Sequence, residues 1–485
     1  MPGYAKLCHF SPMPPARNGI ADYAFKIVAE LSTAYESTVA CEDAFAETPE
    51  GVALVDPVQA FRFITDETLP VYQVGNNSDH RFVVQAMRRH PGLVVLHDVN
   101  LLYLHQFLGL SDEEMLGRLI RSNPFVAPVR ALQVARHKMT RRTDYALFPM
   151  LEGIVSLATA VVVHSHFART VILRHLGPGV ADKVHVIPHF AFDPPAETRS
   201  AARTRLGLEP DWFVLLTCGF ATKVKRYDWL VEALDRLAAT RRNIVWVQAG
   251  PHRGDDFDLE ALVARHPRVR AIARLTGYVS EPDLEGYLAA ADVVVNLRFP
   301  SVGESSGILA RALPAGACCV VTDTAAYREY PSDAVVKVPA MGAERSLAAT
   351  LAALADAPLA RERFGSNARR YASAELSTKR YAERFAAVVR SCETVAPVPP
   401  PARSASPFRL RGDAKSIGRA AFAGRPPGSP VDFTIGPLGD ELLSFDSLTA
   451  VLGDSIYVDR AELALAGGGS AEDDPRVFID GSGRV

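Results

Sequence analysis

The feature of this sequence that most constrains its fold is a repeated alternation between short apolar runs and segments with helical spacing. Apolar residues recur at helical spacing from Ile20 to Leu31 and from Trp229 to Leu237. Strands that alternate with helices along a chain form parallel sheets covered by helices. The sequence therefore predicts an α/β architecture with parallel, doubly wound sheets. The runs that indicate strands are Lys6–Phe10, Leu69–Asn77, Gly92–Val99, Thr159–Ser165, Trp212–Thr217, Ile244–Val247, Asp292–Leu297 and Cys318–Thr322.

The length and composition of the chain limit the number of domains, the kind of partner and the compartment that we expect. Its 485 residues suffice for two or three domains, and a hydrophobic content of 48% supports sizeable cores. The formal net charge of −2 gives no overall attraction to nucleic acid, so we expect no nucleic-acid partner. Six cysteines without a Cys-x-x-Cys pair indicate buried free thiols in a reducing compartment. The start does not resemble a signal peptide, and the apolar run from Ile154 to Val163 is too short to cross a bilayer, so we expect a cytoplasmic protein.

Two stretches have the composition of linkers. Residues 193–211 are rich in proline, alanine and arginine, and residues 394–407 are rich in proline, alanine and serine. The second stretch leads into a tail with short apolar runs and no recognisable motif. We therefore predict a first domain at residues 1–195, a second domain at 210–375, a crossover helix at 376–392, and a linker with a partly ordered tail at 393–485.

The stretch from Gly303 to Gly316 joins a buried run to a helical pattern, which Pro314 and Gly316 end. Free N–H groups at the start of a helix favour anions, and small residues let a ligand approach the backbone. We expect Glu304, at the lip of this turn, to accept hydrogen bonds from sugar hydroxyls. An ordinary capped helix with an exposed glutamate is an equally open alternative. The residues expected to bring their backbone to the ligand are Ser305, Ser306 and Gly307.

Polar residues in the first half of the chain stand at the carboxyl ends of predicted strands, where ligands bind in open α/β sheets. A proline-rich loop follows the first strand, and Asn18 and Gly19 stand just before the next helix. Asn76 lies at the polar end of the second predicted strand, and His97 and Asp98 lie at the end of the third. These residues are predicted to line a cleft. The alternatives are an ordinary strand–helix loop and a histidine with a structural hydrogen-bonding role.

A glycine-led loop with three cations follows the first strand of the predicted second domain. Lysine offers a compact positive charge and arginine a two-pronged donor, and both suit a diphosphate. The alternative is a basic turn that is simply solvated. The residues predicted to contact the ligand in this loop are Gly219, Lys223, Lys225 and Arg226.

Five separated motifs resemble, in the same order, those of the retaining GT-B glycosyltransferases of family 4. The resemblance covers about residues 5 to 391. It implies a GT-B fold, in which two Rossmann-like, doubly wound domains face a cleft, with a C-terminal extension in this chain. It also implies that a nucleotide-sugar donor binds the second domain. The motifs are SPMPPARNGIADY in the first loop, LHD at His97, the spacing from Gly219 to Lys225, LTGYV at Tyr278, and GESSG at Glu304.

The resemblance implies roles for individual residues. Gly19 would face the donor phosphates and the acceptor, and His97 would meet the donor and acceptor sugars. Lys225 matches a phosphate-binding lysine, and Glu304 matches the first of two glutamates. The segment that seats the nucleotide base through backbone contacts contains Tyr278 and Val279.

The sequence departs from the family pattern at two positions. The second glutamate, which usually holds the nucleotide ribose, would fall near Arg311 or Ala312, and neither residue is acidic. The arginine that usually follows the loop glycine is Phe220 here. We expect Lys223 or Arg226 to supply the missing positive charge.

The function that the resemblance implies is transfer of a hexose from a nucleoside diphosphate sugar to a saccharide or lipid-linked acceptor. The anomeric configuration would be retained, and neither a metal nor a cofactor would be needed. Such a reaction belongs to polysaccharide or glycoconjugate biosynthesis, and its catalytic residues here would be Glu304, His97, Lys225 and Arg226. Two alternatives stay open: a nucleotide-sugar epimerase of the same fold, and a non-catalytic module that binds sugar nucleotides. A dinucleotide oxidoreductase is disfavoured, because no Gly-x-Gly-x-x-Gly motif opens a helix.

Basic residues are concentrated between Leu101 and Leu151. A charged helix face is usually just solvated, which is our preferred interpretation. The alternative is a patch for an anionic acceptor or for peripheral contact with a membrane surface. The basic residues are Arg118, Arg121, Arg130, Arg136, His137, Lys138, Arg141 and Arg142.

Overall fold

The protein is described by a computed structural model that covers residues 4–16, 18–123, 147–254, 257–393, 408–410 and 433–435. The strands of the first sheet are β1 (Lys6–Phe10), β2 (Glu36–Ala40), β3 (Ala53–Val55), β4 (Thr68–Val74), β5 (Leu93–Leu96), β6 (Ala160–Val163) and β7 (Val184–Val186). The α-helices connected to them are α1 (Gly19–Leu31), α2 (Pro57–Ala60), α3 (Arg81–Arg89), α4 (Leu102–His105), α5 (Asp112–Ser122), α6 (Glu152–Val155) and α7 (His166–Leu176).

All neighbouring strands of the first sheet are parallel, in the order β3-β2-β1-β4-β5-β6-β7. Parallel strands need covering on both faces, which explains why all seven residues of β4 are buried. Tyr72 and Val74 pack into the core on one face of the sheet, and Leu69 and Val71 pack into the core on the other. The strand order reverses between β1 and β4.

The second half of the chain begins with β8 (Phe213–Cys218), β9 (Ile244–Ala249), β10 (Arg253–Gly254), β11 (Phe257–Asp258), β12 (Ala273–Gly277), β13 (Val293–Asn296), β14 (Cys318–Thr322) and β15 (Val335–Val338). Its helices are α8 (Arg199–Arg205), α9 (Tyr227–Thr240), α10 (Leu259–Ala264), α11 (Pro267–Ile272), α12 (Glu281–Ala290), α13 (Gly307–Ala315), α14 (Ala343–Asp356), α15 (Pro358–Glu375) and α16 (Thr378–Cys392). Two short strands, β16 (Phe408–Leu410) and β17 (Phe433–Ile435), pair antiparallel with each other.

The second sheet is also parallel, in the order β12-β9-β8-β13-β14-β15. Its strand order reverses between β8 and β13. Helices cover both faces here too, because the buried residues of this half divide into two separate cores. The predicted α/β architecture with parallel, doubly wound sheets is therefore confirmed.

The last described helix of the second half returns to the first half of the chain. Tyr381, Phe385 and Val388 of α16 belong to the same core as Tyr23 of α1 and the strand residues on that face. The hydroxyl of Tyr23 donates a hydrogen bond to the hydroxyl of Tyr381. The apolar face of α16 thus covers the first sheet.

Direct contacts also join the two halves next to the carboxyl ends of their strands. The Glu329 carboxylate accepts hydrogen bonds from the backbone N–H groups of His166 and Phe167, at 2.9 and 2.7 Å, where α7 begins. Gly303, with φ of +104°, packs so closely that a Cβ there would lie 2.6 Å from Cγ2 of Val99. The turn before Glu304 therefore abuts the first half of the protein.

Some sequence predictions concern residues outside the described ranges. Of the basic stretch, Arg118 and Arg121 lie on α5. The described helices include none that is both long enough and apolar enough to cross a bilayer. The predictions that fall outside the described residues concern Arg130, Arg136, His137, Lys138, Arg141, Arg142 and most of the tail at 393–485.

Candidate functional site

Several of the predicted site residues lie at the two points where strand order reverses. In the first sheet, the loops after β1 and β4 carry Asn18 and Asn76. In the second sheet, the loops after β8 and β13 carry Lys225 and Glu304. Ligands of open α/β sheets bind outside the carboxyl ends of the strands at such a point. The loops at both reversal points therefore lie where the fold best accommodates a ligand.

Lys225 holds its ammonium group against the end of β8. Its Nζ donates a hydrogen bond to the carbonyl oxygen of Cys218 at 2.7 Å. Gly219, with φ of +77°, makes room for it, because a Cβ there would lie 2.9 Å from this Nζ. Part of the Lys225 side chain reaches solvent, but burial of the ammonium, followed by the positive charge of Arg298, holds its pKa well below the ordinary value. A bound anion would compensate this enclosed charge.

The other two cations of this loop have different environments. Arg226 adopts a left-handed backbone conformation, with φ of +53°. Its guanidinium pairs with Asp228 and lies 4.1 Å from the centre of the Trp229 ring. Lys223 is exposed. The charge of Arg226 is thus directed towards α9, and the expectation that Lys223 or Arg226 replaces the arginine missing at Phe220 stays a prediction.

Glu304 is partly enclosed and stabilises its own loop. Its Oε2 accepts hydrogen bonds from the hydroxyl of Ser301 and the backbone N–H of Val302, both at 3.0 Å. Its Oε1 lies 3.7 Å from Nε of Arg298. The side chain is 22% exposed. Glu304 is thus less exposed than a residue at the lip of a turn would be, with one oxygen committed to the loop and the other beside a cation.

The start of α13 combines a cap with a buried amide. The hydroxyl of Ser306 accepts a hydrogen bond from the N–H of Leu309 at 3.3 Å and lies 3.1 Å from Oδ1 of Asn296, to which it donates. The Nδ2 atom of buried Asn296 has no hydrogen-bond partner among the described residues. Several first-turn N–H groups of a helix lack intrahelical partners. The segment from Ser305 to Gly307 therefore offers hydrogen-bond donors to an anion.

Asp98 and Asn76 are joined to each other in the first half of the protein. The backbone N–H of Asn76 donates a hydrogen bond to Oδ2 of Asp98 at 3.0 Å, and Oδ1 of Asn76 accepts one from Leu104 at 2.9 Å. Burial raises the pKa of Asp98 from 3.8 to about 6, and the negative charge of Glu304 contributes to that increase. The negative charges of Asp98 and Glu304 therefore disfavour each other, and the residues next to them, Val99 and Gly303, pack together.

The raised pKa of Asp98 gives a stability prediction. Between about pH 4 and pH 6 the folded protein keeps a proton that the unfolded chain releases, so this group lowers stability as pH rises through that window. Asp98→Asn keeps an acceptor for the Asn76 N–H and removes the charge. We expect the variant to melt at a higher temperature than the wild type at neutral pH, and the difference to disappear towards about pH 4. Thermal unfolding across this range checks it, and a pH-independent difference would contradict it.

His97 lies within a cluster of rings. Its Nε2 is 2.9 Å from Oε1 of Gln73, and its Nδ1 is 3.3 Å from Nε2 of His164. The ring of Tyr23 meets it edge to face, with 4.6 Å between centroids. Burial and then the neighbouring histidines hold the pKa of His97 well below its ordinary value, so the ring is neutral at neutral pH. Because both nitrogens are engaged inside the protein, contact of this ring with a sugar stays a prediction.

At the start of α1, the side chain of Asn18 caps the helix, and the backbone at Gly19 is open. Oδ1 of Asn18 caps the helix by accepting hydrogen bonds from the N–H groups of Ile20 and Ala21, at 3.1 and 2.8 Å. Its Nδ2 donates to the Asp79 carboxylate at 2.8 Å. A Cβ on Gly19 would meet no atom of its described surroundings within 4 Å. Ligand contact at this loop is therefore better suited to the backbone at Gly19 than to the side chain of Asn18.

Arg311 stands where the second family glutamate was expected, and it joins the two halves. Its Nη2 lies 3.2 Å from the carboxylate of Asp22 on α1, and its Nη1 pairs with Glu281 at the start of α12. Its guanidinium lies 4.0 Å from the centre of the Phe192 ring. The side chain is 12% exposed. This position therefore contributes ion pairs between the halves instead of a carboxylate.

Tyr278 and Val279 directly follow β12, at the edge of the second sheet. The side chain of Tyr278 is largely exposed, whereas Val279 packs against one of the two cores of this half. Their proposed contact with a nucleotide base is a prediction that depends on backbone atoms.

The structure brings three groups to the site that sequence analysis did not single out: Arg298, Asn296 and Tyr327. Arg298 is the second residue after β13, and a cation just past a buried run could have identified it. Tyr327 is 1% exposed, and its hydroxyl has no hydrogen-bond partner in the described part of the chain. Burial raises its pKa, and the charges of Arg298, Glu304 and Asp98 all act on it. Nothing in the sequence around Tyr327 marks it, because the fold alone brings it there.

Comparison with known proteins identifies one part of the chain by sequence. Residues 213–357 match the family described as Glycosyl transferases group 1. A D-inositol 3-phosphate glycosyltransferase from Streptomyces bingchenggensis (strain BCW-1) is 30% identical over 176 residues, which is 34% of this chain and 38% of that protein. The chain thus matches less than two fifths of the length of this relative.

Solved structures resemble the chain over a larger part of its length. The sucrose-phosphate synthase from Thermosynechococcus elongatus has a TM-score of 0.57 and 16% sequence identity, covering 81% of this chain and 100% of that one. HepE from Anabaena, in complex with UDP and glucose, has a TM-score of 0.55 and 14% identity, covering 80% of this chain and 100% of that one. At these identities the likeness concerns the fold, and it extends over both sheets.

Proposed function

Because this chain has the GT-B fold and its residues 213–357 match the glycosyl transferases group 1 family, we propose that it transfers a hexose from a nucleoside diphosphate sugar to a saccharide or lipid-linked acceptor. We place this reaction in polysaccharide or glycoconjugate biosynthesis. It proceeds with retention of anomeric configuration and uses neither a metal nor a cofactor. The donor lies on the second half of the protein, and the acceptor approaches from the first.

One observation carries the proposal. At the reversal point of the second sheet, the enclosed ammonium of Lys225 and the donor-rich start of α13 lie on neighbouring loops, with the Glu304 carboxylate between them in the chain. A nucleoside diphosphate sugar needs both kinds of group, since its diphosphate is an anion and its sugar hydroxyls donate to carboxylates. Asp98, from the first half, lies close enough to Glu304 to be affected by its charge.

The chemical step depends on stabilising the leaving group. The bond between the anomeric carbon and the phosphate oxygen breaks, and its electron pair stays on the diphosphate. The acceptor oxygen forms the new bond to the anomeric carbon, and the proton of its hydroxyl passes to the departing diphosphate. Lys225 and the amides from Ser305 to Gly307 are positioned beforehand, so they stabilise the developing charge without reorganising. Glu304 orients the sugar, and Gly19 offers its backbone to the diphosphate and acceptor.

The similar proteins support the choice of substrates. The solved HepE complex contains UDP and glucose, which supports a nucleoside diphosphate hexose as donor. The curated relative is named a D-inositol 3-phosphate glycosyltransferase, which supports a hydroxyl group as the attacking nucleophile of the acceptor. We propose backbone contacts from Tyr278 and Val279 to the base.

A thermal-shift screen tests donor binding. UDP-glucose, GDP-glucose and ADP-glucose are each added to the purified protein, with NAD as a control for dinucleotide binding. Ligands that bind only the native state raise its apparent stability, by about 2.7 kcal/mol at a concentration of 100 times Kd. We expect one of the three sugar nucleotides to raise the melting temperature and NAD to leave it unchanged. A shift with NAD alone would contradict the proposal.

Product analysis distinguishes the proposed transferase from its two alternatives. With the donor that binds, a transferase releases nucleoside diphosphate, either slowly to water or rapidly to an acceptor. The expected result is free nucleoside diphosphate without any isomerised sugar nucleotide. NMR of the transfer product would report its anomeric configuration. Isomerised sugar nucleotide would indicate an epimerase. Binding with neither product would indicate a non-catalytic module, which is the alternative that the missing second glutamate favours.

A further inference from the structure

We propose that Arg298 is a second diphosphate-binding cation, which acts together with Lys225 and replaces the arginine that is missing at Phe220. The inference rests on the proposed function and names a residue of the same site that neither the family motifs nor the loop spacing indicated. The chemical class of its ligand is the diphosphate of a nucleoside diphosphate or nucleoside diphosphate sugar.

The position of Arg298 in the fold supports the proposal. It follows β13, whereas Lys225 follows β8, and these strands are the neighbours between which the order of the second sheet reverses. The two loops are joined directly, because the N–H of Phe299 donates a hydrogen bond to the carbonyl oxygen of Val224 at 2.8 Å. Arg298 and Lys225 therefore lie on neighbouring loops at the same edge of the second sheet.

The balance of charges also points to an anion. The Arg298 side chain is 14% exposed, and its charge acts on the enclosed ammonium of Lys225. The described carboxylate beside Arg298 is Glu304, at 3.7 Å, which is longer than a strong charge-assisted hydrogen bond. Two neighbouring cations repel each other at low dielectric, and a diphosphate between them would offset that repulsion.

A buried hydroxyl group without a described hydrogen-bond partner, on which the charge of Arg298 acts, is a second observation. The Tyr327 hydroxyl is buried without a hydrogen-bond partner among the described residues, and Arg298 is the first of the charged groups that act on it. Buried hydroxyls normally have partners, so its lack of one suggests a position that a bound ligand completes. In addition, the hydrogen bond from Nη1 of Arg298 to the carbonyl oxygen of Leu297, at 3.0 Å, holds the guanidinium in place.

An alternative role for Arg298 is only to orient Glu304. The two roles differ in what they predict for a ligand without a sugar. A residue that orients Glu304 affects the sugar and the rate of transfer, whereas a diphosphate-binding residue also affects the affinity for a free nucleoside diphosphate.

The test measures the affinity of nucleotides for Arg298→Gln by calorimetry. The probes are UDP, GDP and ADP, each compared with its nucleoside monophosphate, and the pair that the wild type binds is used. We expect Arg298→Gln to weaken nucleoside diphosphate binding roughly 10- to 100-fold, and to weaken monophosphate binding much less. Arg298→Lys keeps the charge without the two-pronged geometry, so its affinity should fall between those of the wild type and Arg298→Gln.

The matched control is Arg241→Gln. Arg241 is another partly buried arginine in an ion pair, with Asp356, but it follows the end of α9, away from the carboxyl edge of the sheet. It should leave nucleotide affinity unchanged. Diphosphate affinity that is equal in the wild type and in Arg298→Gln, with a slower transfer rate, would overturn this inference alone. If Arg298→Gln melts far below the wild type, the test uses Arg298→Lys instead. Diphosphate and monophosphate affinities in Arg298→Lys that both equal those of the wild type would then overturn this inference. Failure of the wild type to bind any of the three diphosphates would contradict the proposed function as well.

Discussion

Lys225→Met is expected to lower the turnover number of sugar transfer about 100- to 1,000-fold, which is the range measured when one preorganised donor is removed from a developing anion. Methionine keeps most of the volume of the side chain and removes the charge. The hydrogen bond to the Cys218 carbonyl is also lost. Since burial already disfavours the charged form of Lys225, the folded state should tolerate the substitution or gain stability.

The control for this prediction is Lys6→Met. Lys6 pairs with Glu36 at the amino end of β1, on the edge of the sheet opposite the crevice. We expect this variant to keep wild-type donor affinity and turnover. Kinetics for both variants, together with their melting temperatures, separate loss of the phosphate contact from loss of structure. Wild-type turnover in a folded Lys225→Met protein would remove this residue from the site.

Glu304→Gln is expected to lower the rate of transfer by about one to two orders of magnitude. A charge-assisted hydrogen bond is worth roughly 1.5–3 kcal/mol, and the glutamine keeps the shape of the carboxylate while removing its charge. The melting temperature should fall modestly, because Oε2 holds the loop through Ser301 and Val302. Binding of free nucleoside diphosphate should change less than the rate.

The matched control for Glu304→Gln is Glu36→Gln, which removes a carboxylate charge from the opposite edge of the first sheet. It should leave the rate of transfer unchanged. If Glu304→Gln transfers sugar at the wild-type rate, Glu304 does not orient the donor. A large fall in melting temperature with an unchanged rate per folded molecule would instead assign it to loop structure.

The fold could be predicted from sequence because its central strands are buried on both faces. The runs at Leu69–Val74 and Cys318–Thr322 are largely apolar, with Gln73 and Thr322 as the polar exceptions, and they correspond to β4 and β14. The strands that sequence analysis did not identify lie further out in the sheets. For example, β2 contains Glu36, Ser37 and Thr38, and β3 has only three residues. Their polarity and shortness leave no pattern that differs from that of a loop.

The site was partly predictable for the same reason. Loops after strands β1, β4, β8 and β13 could be located, so Gly19, Asn76, Lys225 and Glu304 were identified as neighbours of a crevice. The partners of each side chain could not be predicted, because they come from distant parts of the chain. Spacing alone does not show that Arg226 turns to Asp228 and Trp229. It also does not show that Arg311 reaches Asp22, or that His97 contacts His164.

The most direct measurement of the central claim is a crystal structure of the protein with the nucleoside diphosphate that binds it. The predicted result is a diphosphate between Nζ of Lys225 and the guanidinium of Arg298, with an oxygen on the amides from Ser305 to Gly307 and the ribose and base towards Tyr278. Well-defined nucleotide density in the first sheet's crevice, or with its diphosphate remote from Lys225, would contradict the account.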